Sequence, residues 1–224
     1  MRATIELAIG GWAFAILLGI PTGVFAAVKR GTFWDYIARG VAIVGQGAPP
    51  FVIGLLLIVI FAVWLQDTPF YLPAAGRPPQ FEIRKYILPC IALGWPAAAG
   101  LMRLTRSAML EVLDSEFVKL ARAKGVGWNK VIYKHALKNA LITPLTSALL
   151  LFSGWLNGAL VIEIIFGWPG IGYDALFTAV NDNDFPLLQG TVFFFVIIFV
   201  IFALLADLLY TIIDPRVRLT GGEK

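Results

Sequence analysis

The sequence predicts an all-α fold, a polytopic membrane helical bundle with five transmembrane helices. Three observations carry that prediction: a shortage of charge, five long apolar runs, and a one-sided placement of lysine and arginine. Of 224 residues, 59% are hydrophobic and 14% charged, and the mean hydropathy is +0.82. A soluble domain carries roughly 25% charged residues. At this length apolar side chains must therefore face lipid as well as one another.

A spanning helix needs about 20 mainly apolar residues, and backbone groups in lipid must bond within the segment. Leu7 to Val28 is the first uncharged run. It is not a cleaved leader, because no basic stretch precedes it and Lys29-Arg30 follow it. Gly40 to Leu65 is the second and contains Pro49-Pro50. Tyr86 to Met102 is shorter, and Arg103 can extend its side chain toward the interface. Ala140 to Ile162 and Phe185 to Ala206 are the fourth and fifth, the last staying apolar past Asp207 to Ile213. The spans expected are about 7–28, 40–65, 86–106, 139–163 and 185–213. Residues 1–214 thus make one transmembrane domain, with a cytoplasmic loop over about 107–138 and a cytoplasmic tail over 215–224. The runs are apolar all round, unlike surface helices of soluble proteins, and lack the alternation of barrel strands.

Alternate loops share a side of the membrane. One side collects fourteen of the eighteen Lys and Arg residues; the other holds Arg2, Arg77, Arg84 and Lys85. Basic loops stay cytoplasmic, so the long loop between the third and fourth spans and the C-terminus lie inside, in a multi-pass cytoplasmic (inner) membrane protein. The outer stretch 66–84 carries Pro69, Pro73, Pro78 and Pro79, which forbid regular helix. Phe166 to Asp184 holds Gly167-Trp168-Pro169-Gly170-Ile171-Gly172, a turn-rich run whose aromatics are expected in the headgroup zone.

The inner loop is patterned. Asp114 or Ser115 suits a helix N-cap, and Glu116 suits the positive end of the helix dipole. Lys119, Arg122 and Lys124 fall toward the negative end, and Gly125 suits the left-handed residue past a C-terminus. The spacing predicts a helix over Glu116 to Lys124, with Phe117, Leu120 and Ala121 on one face. Asn129 is expected to start a second helix leading through Lys138 into the fourth span. Spacing alone leaves two roles open: a surface helix whose cations meet anionic membrane lipid, or a knob for a protein partner.

The stretch Arg103-Leu-Thr-Arg-Ser-Ala-Met-Leu-Glu-Val-Leu-Asp-Ser-Glu-Phe-Val-Lys-Leu-Ala-Arg-Ala-Lys-Gly125, followed by Tyr133-Lys-His-Ala-Leu-Lys-Asn-Ala-Leu-Ile-Thr-Pro144, resembles the EAA loop of binding-protein-dependent ABC importer permeases. It is most similar to the oligopeptide/dipeptide/nickel branch. Ala121 and Gly125 match the second Ala and the Gly of the EAA pattern, while Lys119 and Leu120 replace its Glu and first Ala. Ile20-Pro21, Ile87-Leu-Pro89, Phe166 to Gly172, Asp184-Phe-Pro186 and Asp214-Pro-Arg216 resemble family segments in the same order. Family members usually begin with a further span and an external segment, so the resemblance implies that this chain lacks them.

The resemblance implies a pore-forming permease subunit of an ATP-driven importer, with di- or oligopeptides as the first expectation and nickel chelates, glutathione or another small solute as the alternative. Its partners would be two ABC ATPase subunits, a second and paralogous permease, an extracytoplasmic solute-binding protein and membrane lipid. No nucleic acid and no cofactor are expected, ATP being used by the partner subunits. Residues Glu116, Phe117, Lys119, Leu120, Ala121, Arg122, Lys124 and Gly125 would couple the chain to an ATPase subunit. Glu163 and Asn157 are candidates for the translocation path, because ionisable and strongly polar groups inside spans are rare. Asp207 is expected to pair with Arg103 or Arg106, and Gln46 to bond between helices.

The residues also exclude classes. No G-x-x-x-x-G-K-[ST] phosphate loop and no G-x-S-x-G element occur, so neither ATP binding by that device nor serine hydrolysis is expected, and the chain reads as a non-enzyme. With one cysteine, Cys90, and one histidine, His135, no Cys- or His-based metal site is expected. A self-contained secondary transporter would show more intramembrane charge and repeat symmetry.

Overall fold

A computed structural model describes residues 2–74, 76–78 and 82–213, with the side chains of 153, 154, 156–158, 202 and 206–213 left aside. The side chains of Asn157 and Asp207 and the tail 215–224 therefore lie outside the described residues. The described elements are helical. In order they are α1 (Arg2–Val28), α2 (Phe33–Gly47) and α3 (Pro50–Leu57), which continues as a π-helical stretch Ile58–Trp64. Next come α4 (Ile83–Leu113), α5 (Glu116–Ala123), α6 (Trp128–Lys130), the π-helical Val131–Ala136 and α7 (Leu137–Ala140). The chain ends with α8 (Ile142–Gly158), α9 (Leu160–Ile165), the π-helical Gly172–Phe177, α10 (Thr178–Asn181) and α11 (Phe185–Ile213).

The seam between α1 and α4 is the spine of the bundle. Glu6 meets Tyr86 at one end, and Gly23 meets Met102 and Thr105 toward the other, so the two helices run parallel. Parallel neighbours require the chain to return between them, which α2 and α3 do. Gly11, Ala15, Gly19 and Gly23 recur every four residues and form one face of α1. A Cβ on Gly19 would lie 2.6 Å from the Ala98 carbonyl, and one on Gly23 2.6 Å from the Met102 carbonyl. A Cβ on Gly94 would run into the carbonyl of Gly11. Without a hydrophobic drive between helices in lipid, close approach through small residues supplies the packing.

Among the described residues three helices are long and apolar enough to cross a membrane: α1, α4 and α11 over Phe185–Leu205. The pair Phe33–Gly47 and Pro50–Trp64 passes as one broken span bent by 105°. The fourth expected span is carried by α8 and α9, with single turn residues at Leu141 and Ala159. The bend in the second span has a covalent cause. Pro49 and Pro50 carry no N–H, and Ala48 and Pro49 adopt extended ψ values of 126° and 141°.

Two boundaries differ from expectation. The helix of the third span does not stop near 106; α4 continues to Leu113, so the turn after it begins at Asp114. No Gly or Pro interrupts residues 103–113, and their Leu, Met, Ala, Arg and Glu content favours helix. The outer run Phe166 to Asp184 is not loop throughout, since Gly172–Phe177 and Thr178–Asn181 are helical.

Candidate coupling loop and outer clasp

At the end of the bundle that carries residues 114–138, α5 starts where expected and stops by a glycine. Ser115 takes the extended N-cap conformation, but its hydroxyl donates back to the Val112 carbonyl at 2.5 Å and does not cap α5. The cap is thus backbone geometry alone, with Lys119 N–H donating to the Ser115 carbonyl at 3.1 Å. Gly125 has φ +78°, the left-handed conformation that its place in the sequence predicts. Its N–H donates to the Arg122 carbonyl (2.9 Å) and Val126 N–H to the Ala121 carbonyl (3.2 Å). This pair of bonds is the Schellman arrangement that satisfies the last carbonyls of a helix.

The sides of α5 have different fates. Val118 is fully buried, whereas Phe117 and Leu120 are 47% and 56% exposed. Ala121 is half-buried; Glu116, Lys119, Arg122 and Lys124 are exposed. Glu116 and Lys119 pair at 2.8 Å, which holds the Lys119 ammonium above its ordinary pKa. Two residues absent from the expected set join the patch. Arg122 lies over the ring of Trp128, 5.1 Å from its centroid, and Trp128 and Tyr133 are both exposed. Their signal in the sequence was only that bulky aromatics sit among cations in a polar loop.

The loop is anchored from behind. The second helix starts at Trp128 after Gly127, not at Asn129, and runs through the π-helical Val131–Ala136. Ile132, Ala136 and Ala140 pack with Val24, Ala27 and Met109 in one buried cluster. Arg106 reaches Asp35 with two bonds of 2.7 and 2.8 Å, Gly31 N–H also donates to Asp35, and Arg30 pairs with Asp114 at 3.1 Å. Arg106 is thus paired with Asp35 on α2, while the expected pairing of Asp207 with Arg103 or Arg106 lies outside the described residues. These ties join α2, the inner end of α4 and the start of the loop.

At the opposite end, α1 receives two loops. Glu6 accepts bonds from Arg77 Nε (2.8 Å) and Nη2 (2.9 Å), from Tyr86 Oη (3.0 Å) and from Arg2 (2.8 Å). The Glu6 carboxylate in turn holds the Arg77 guanidinium above its ordinary pKa. Gly76 N–H donates to the Phe166 carbonyl at 2.8 Å. Trp168 is almost fully buried, donates Nε1–H to the Ala3 carbonyl (3.0 Å) and meets Tyr86 edge-on at 4.8 Å. It is a packing residue and not the headgroup anchor expected of it.

Glu163, expected as a path candidate, packs into this clasp. It is fully buried, and its Oε2 accepts from the N–H groups of Gly172 (2.8 Å) and Tyr173 (3.3 Å). A Cβ on Gly170 would collide with its carboxylate, and one on Gly172 would stand 2.8 Å from Oε2. The glycines of the 167–172 run therefore make room for Glu163, and Gly167 adds a left-handed turn at φ +56°. Among the described residues no group of His, Cys, Asp and Glu could hold a metal ion.

Comparison with known proteins agrees with this arrangement. The family described as binding-protein-dependent transport system inner membrane component matches residues 19–219. The chain is 41% identical to the dipeptide transport system permease protein DppB of Alkalihalophilus pseudofirmus over 243 residues, covering 97% of this chain and 72% of that protein. It is 37% identical to DppB of Escherichia coli K12 over 245 residues, covering 97% and 71%. Its fold is similar to that of the MetNI methionine ABC transporter in an inward-facing form, with a TM-score of 0.71, 16% identity and 95% and 94% coverage. It is also similar to an amino acid ABC transporter solved with histidines, with a TM-score of 0.66, 17% identity and 94% and 90% coverage. With an all-helical bundle, a glycine-stopped inner helix and a matched span of this length, the chain belongs to the binding-protein-dependent transport system inner-membrane component family.

Proposed function

We propose that this chain is a pore-forming permease subunit of an ATP-driven importer of di- and oligopeptides. In this reading α5 is the coupling helix. Phe117, Leu120 and Ala121 enter an apolar groove on a cytoplasmic ATPase subunit, and Lys119, Arg122 and Lys124 meet acidic groups at its rim. The complete transporter has two ATPase subunits, a second and paralogous permease and an extracytoplasmic binding protein; this chain crosses the membrane five times with its C-terminus inside. Closure of the ATPases moves α5, and the packed connection through Ile132 and Ala136 carries the motion to α4 and α8 as a rigid-body transition.

The observation that supports coupling most directly is the split of α5. Val118 anchors it to its own chain while Phe117 and Leu120 stay uncovered beside exposed cations. An exposed apolar pair on a well-terminated helix marks an interaction surface. The names of the dipeptide permeases support the choice of peptide over nickel or glutathione. The test is cysteine crosslinking in a Cys90→Ala background. Phe117→Cys and Leu120→Cys should form disulfides with cysteines placed in the groove of the ATPase subunit. Labelling of these positions only by lipid-borne reagents in an active transporter would overturn the reading.

A further inference from the structure

The second span contains a polar break that the coupling role does not use. Pro49 and Pro50 lack N–H groups, so the carbonyls of Gly45 and Gln46 have no donor four residues ahead. Two extended residues separate α2 from α3 at this point. Gln46 is exposed, and its side chain makes no hydrogen bond among the described residues.

The break lies inside the second apolar run, 40–65, and packs beside α4. Gly45 packs against Trp95 and Ala99, and a Cβ on Gly100 would sit 3.7 Å from Gln46 Nε2. These residues occupy the middle of α4, which runs from Ile83 to Leu113. Gly100 in turn lines an open groove of about 540 Å³ with Leu101, Leu104, Ser147, Leu150 and Trp155, between α4 and α8. Its volume falls within the range of small-molecule sites, roughly 300–1,000 Å³.

Lipid cannot be the neighbour of this break. A free amide and freed carbonyls have no partners in hydrocarbon, and irregular backbone there is tolerated only against protein or a water-filled cavity. We propose that the break at Gln46 to Pro50, with the α4–α8 groove beside it, is this chain's share of the translocation path within the membrane, contacting the amide backbone and terminal ammonium of a peptide in transit. The inference rests on the importer reading above and adds the place and chemistry of passage. A primary amide both donates and accepts, so Gln46 can follow a peptide group in either direction. The freed carbonyls accept from N–H or ammonium. The groove walls carry no charged residue, so they hold varied side chains weakly, as a conduit requires.

The test uses the assembled transporter in membranes, with Cys90→Ala removing the chain's one cysteine. Gln46→Cys and Ala48→Cys are treated with a membrane-impermeant cationic methanethiosulfonate. Val44→Cys, two residues from Gln46 and so about 200° around α2, is the lipid-side or protein-side control. The expected result is labelling of Gln46→Cys and Ala48→Cys roughly tenfold faster than Val44→Cys. A dipeptide with its binding protein and ATP should slow the labelling. If both break positions stay inert with and without ATP while the ATPase subunit co-purifies, the inference is overturned. A spontaneous disulfide between Gln46→Cys and the partner permease, with no labelling, overturns it in favour of a subunit interface. Loss of the ATPase subunit from Phe117→Asp in the same membranes reports separately on the coupling reading.

Discussion

Three residues show how different physical demands are met by similar sequence signals. Gly125 and Gly170 both look like turn glycines, yet only Gly125 is there for its conformation. A Cβ on Gly125 would meet nothing within 4 Å, so the cost of substitution is the left-handed φ, about 1–2 kcal/mol for a residue with a Cβ. Gly125→Val should insert normally yet lower uptake and ATPase co-purification, and Gly125→Asn should retain most of both, since Asn tolerates that region. Gly170 has no positive φ and is constrained by the Glu163 carboxylate packed on it. Gly170→Ala should lower the midpoint of thermal unfolding in detergent, by a loss of about 1–3 kcal/mol. Glu163→Ala should do the same by leaving the N–H groups of Gly172 and Tyr173 unpaired. A Gly170→Ala, Glu163→Ala double variant no less stable than Glu163→Ala alone would show that the two act as one packing unit.

Elements are joined by two kinds of contact, small-residue seams and ion pairs, and their failures should differ. The α1–α4 seam admits no added methyl at Gly23, which already lies against Met102 and Thr105. Gly23→Val should separate the helices and lower stability by about 1–3 kcal/mol, independent of salt. The Asp35–Arg106 pair joins α2 to the inner part of α4, with Asp35 fully covered and Arg106 mostly so. Removing one partner of such a pair leaves an uncompensated charge and costs about 3 kcal/mol. Asp35→Asn should be more damaging than Asp35→Ala combined with Arg106→Ala, which a double-variant unfolding cycle checks. The pair also explains why the inner extension of α4 stays upright beyond the apolar run: its Arg106 has a fixed partner on the neighbouring helix.

At the scale of the whole molecule, charge sorts the two ends. The end that carries α5 presents a cationic apolar patch and the opposite end a closed clasp around Glu6 and Trp168. With the cations of α5 solvent-exposed, their attraction to an acidic partner should weaken with salt. Retention of the ATPase subunit during purification should therefore fall as ionic strength rises from about 0.05 to 0.5 M, and fall less for Lys119→Ala with Lys124→Ala. Orientation is checked by Asp67→Cys, which should label only from the outside, and Glu116→Cys, only from the inside.

Apolar run length and the pattern Glu116 to Gly125 were sufficient, by themselves, to determine an all-helical membrane bundle and a glycine-stopped helix in its long loop, while basic asymmetry set the expectation for the side on which that loop lies. Those properties are local or additive: hydration of a run, the sum of charges in a loop, the φ of one residue. The tertiary structure alone decided that Glu163 and Trp168 are packed inside the outer clasp, that Arg106 belongs to Asp35, that Val118 anchors α5, and that Gln46 stands beside the α4–α8 groove. Each depends on which residues distant in the chain share a depth in the membrane, and composition and spacing carry no record of depth once helices bend, extend past the bilayer or break at paired prolines.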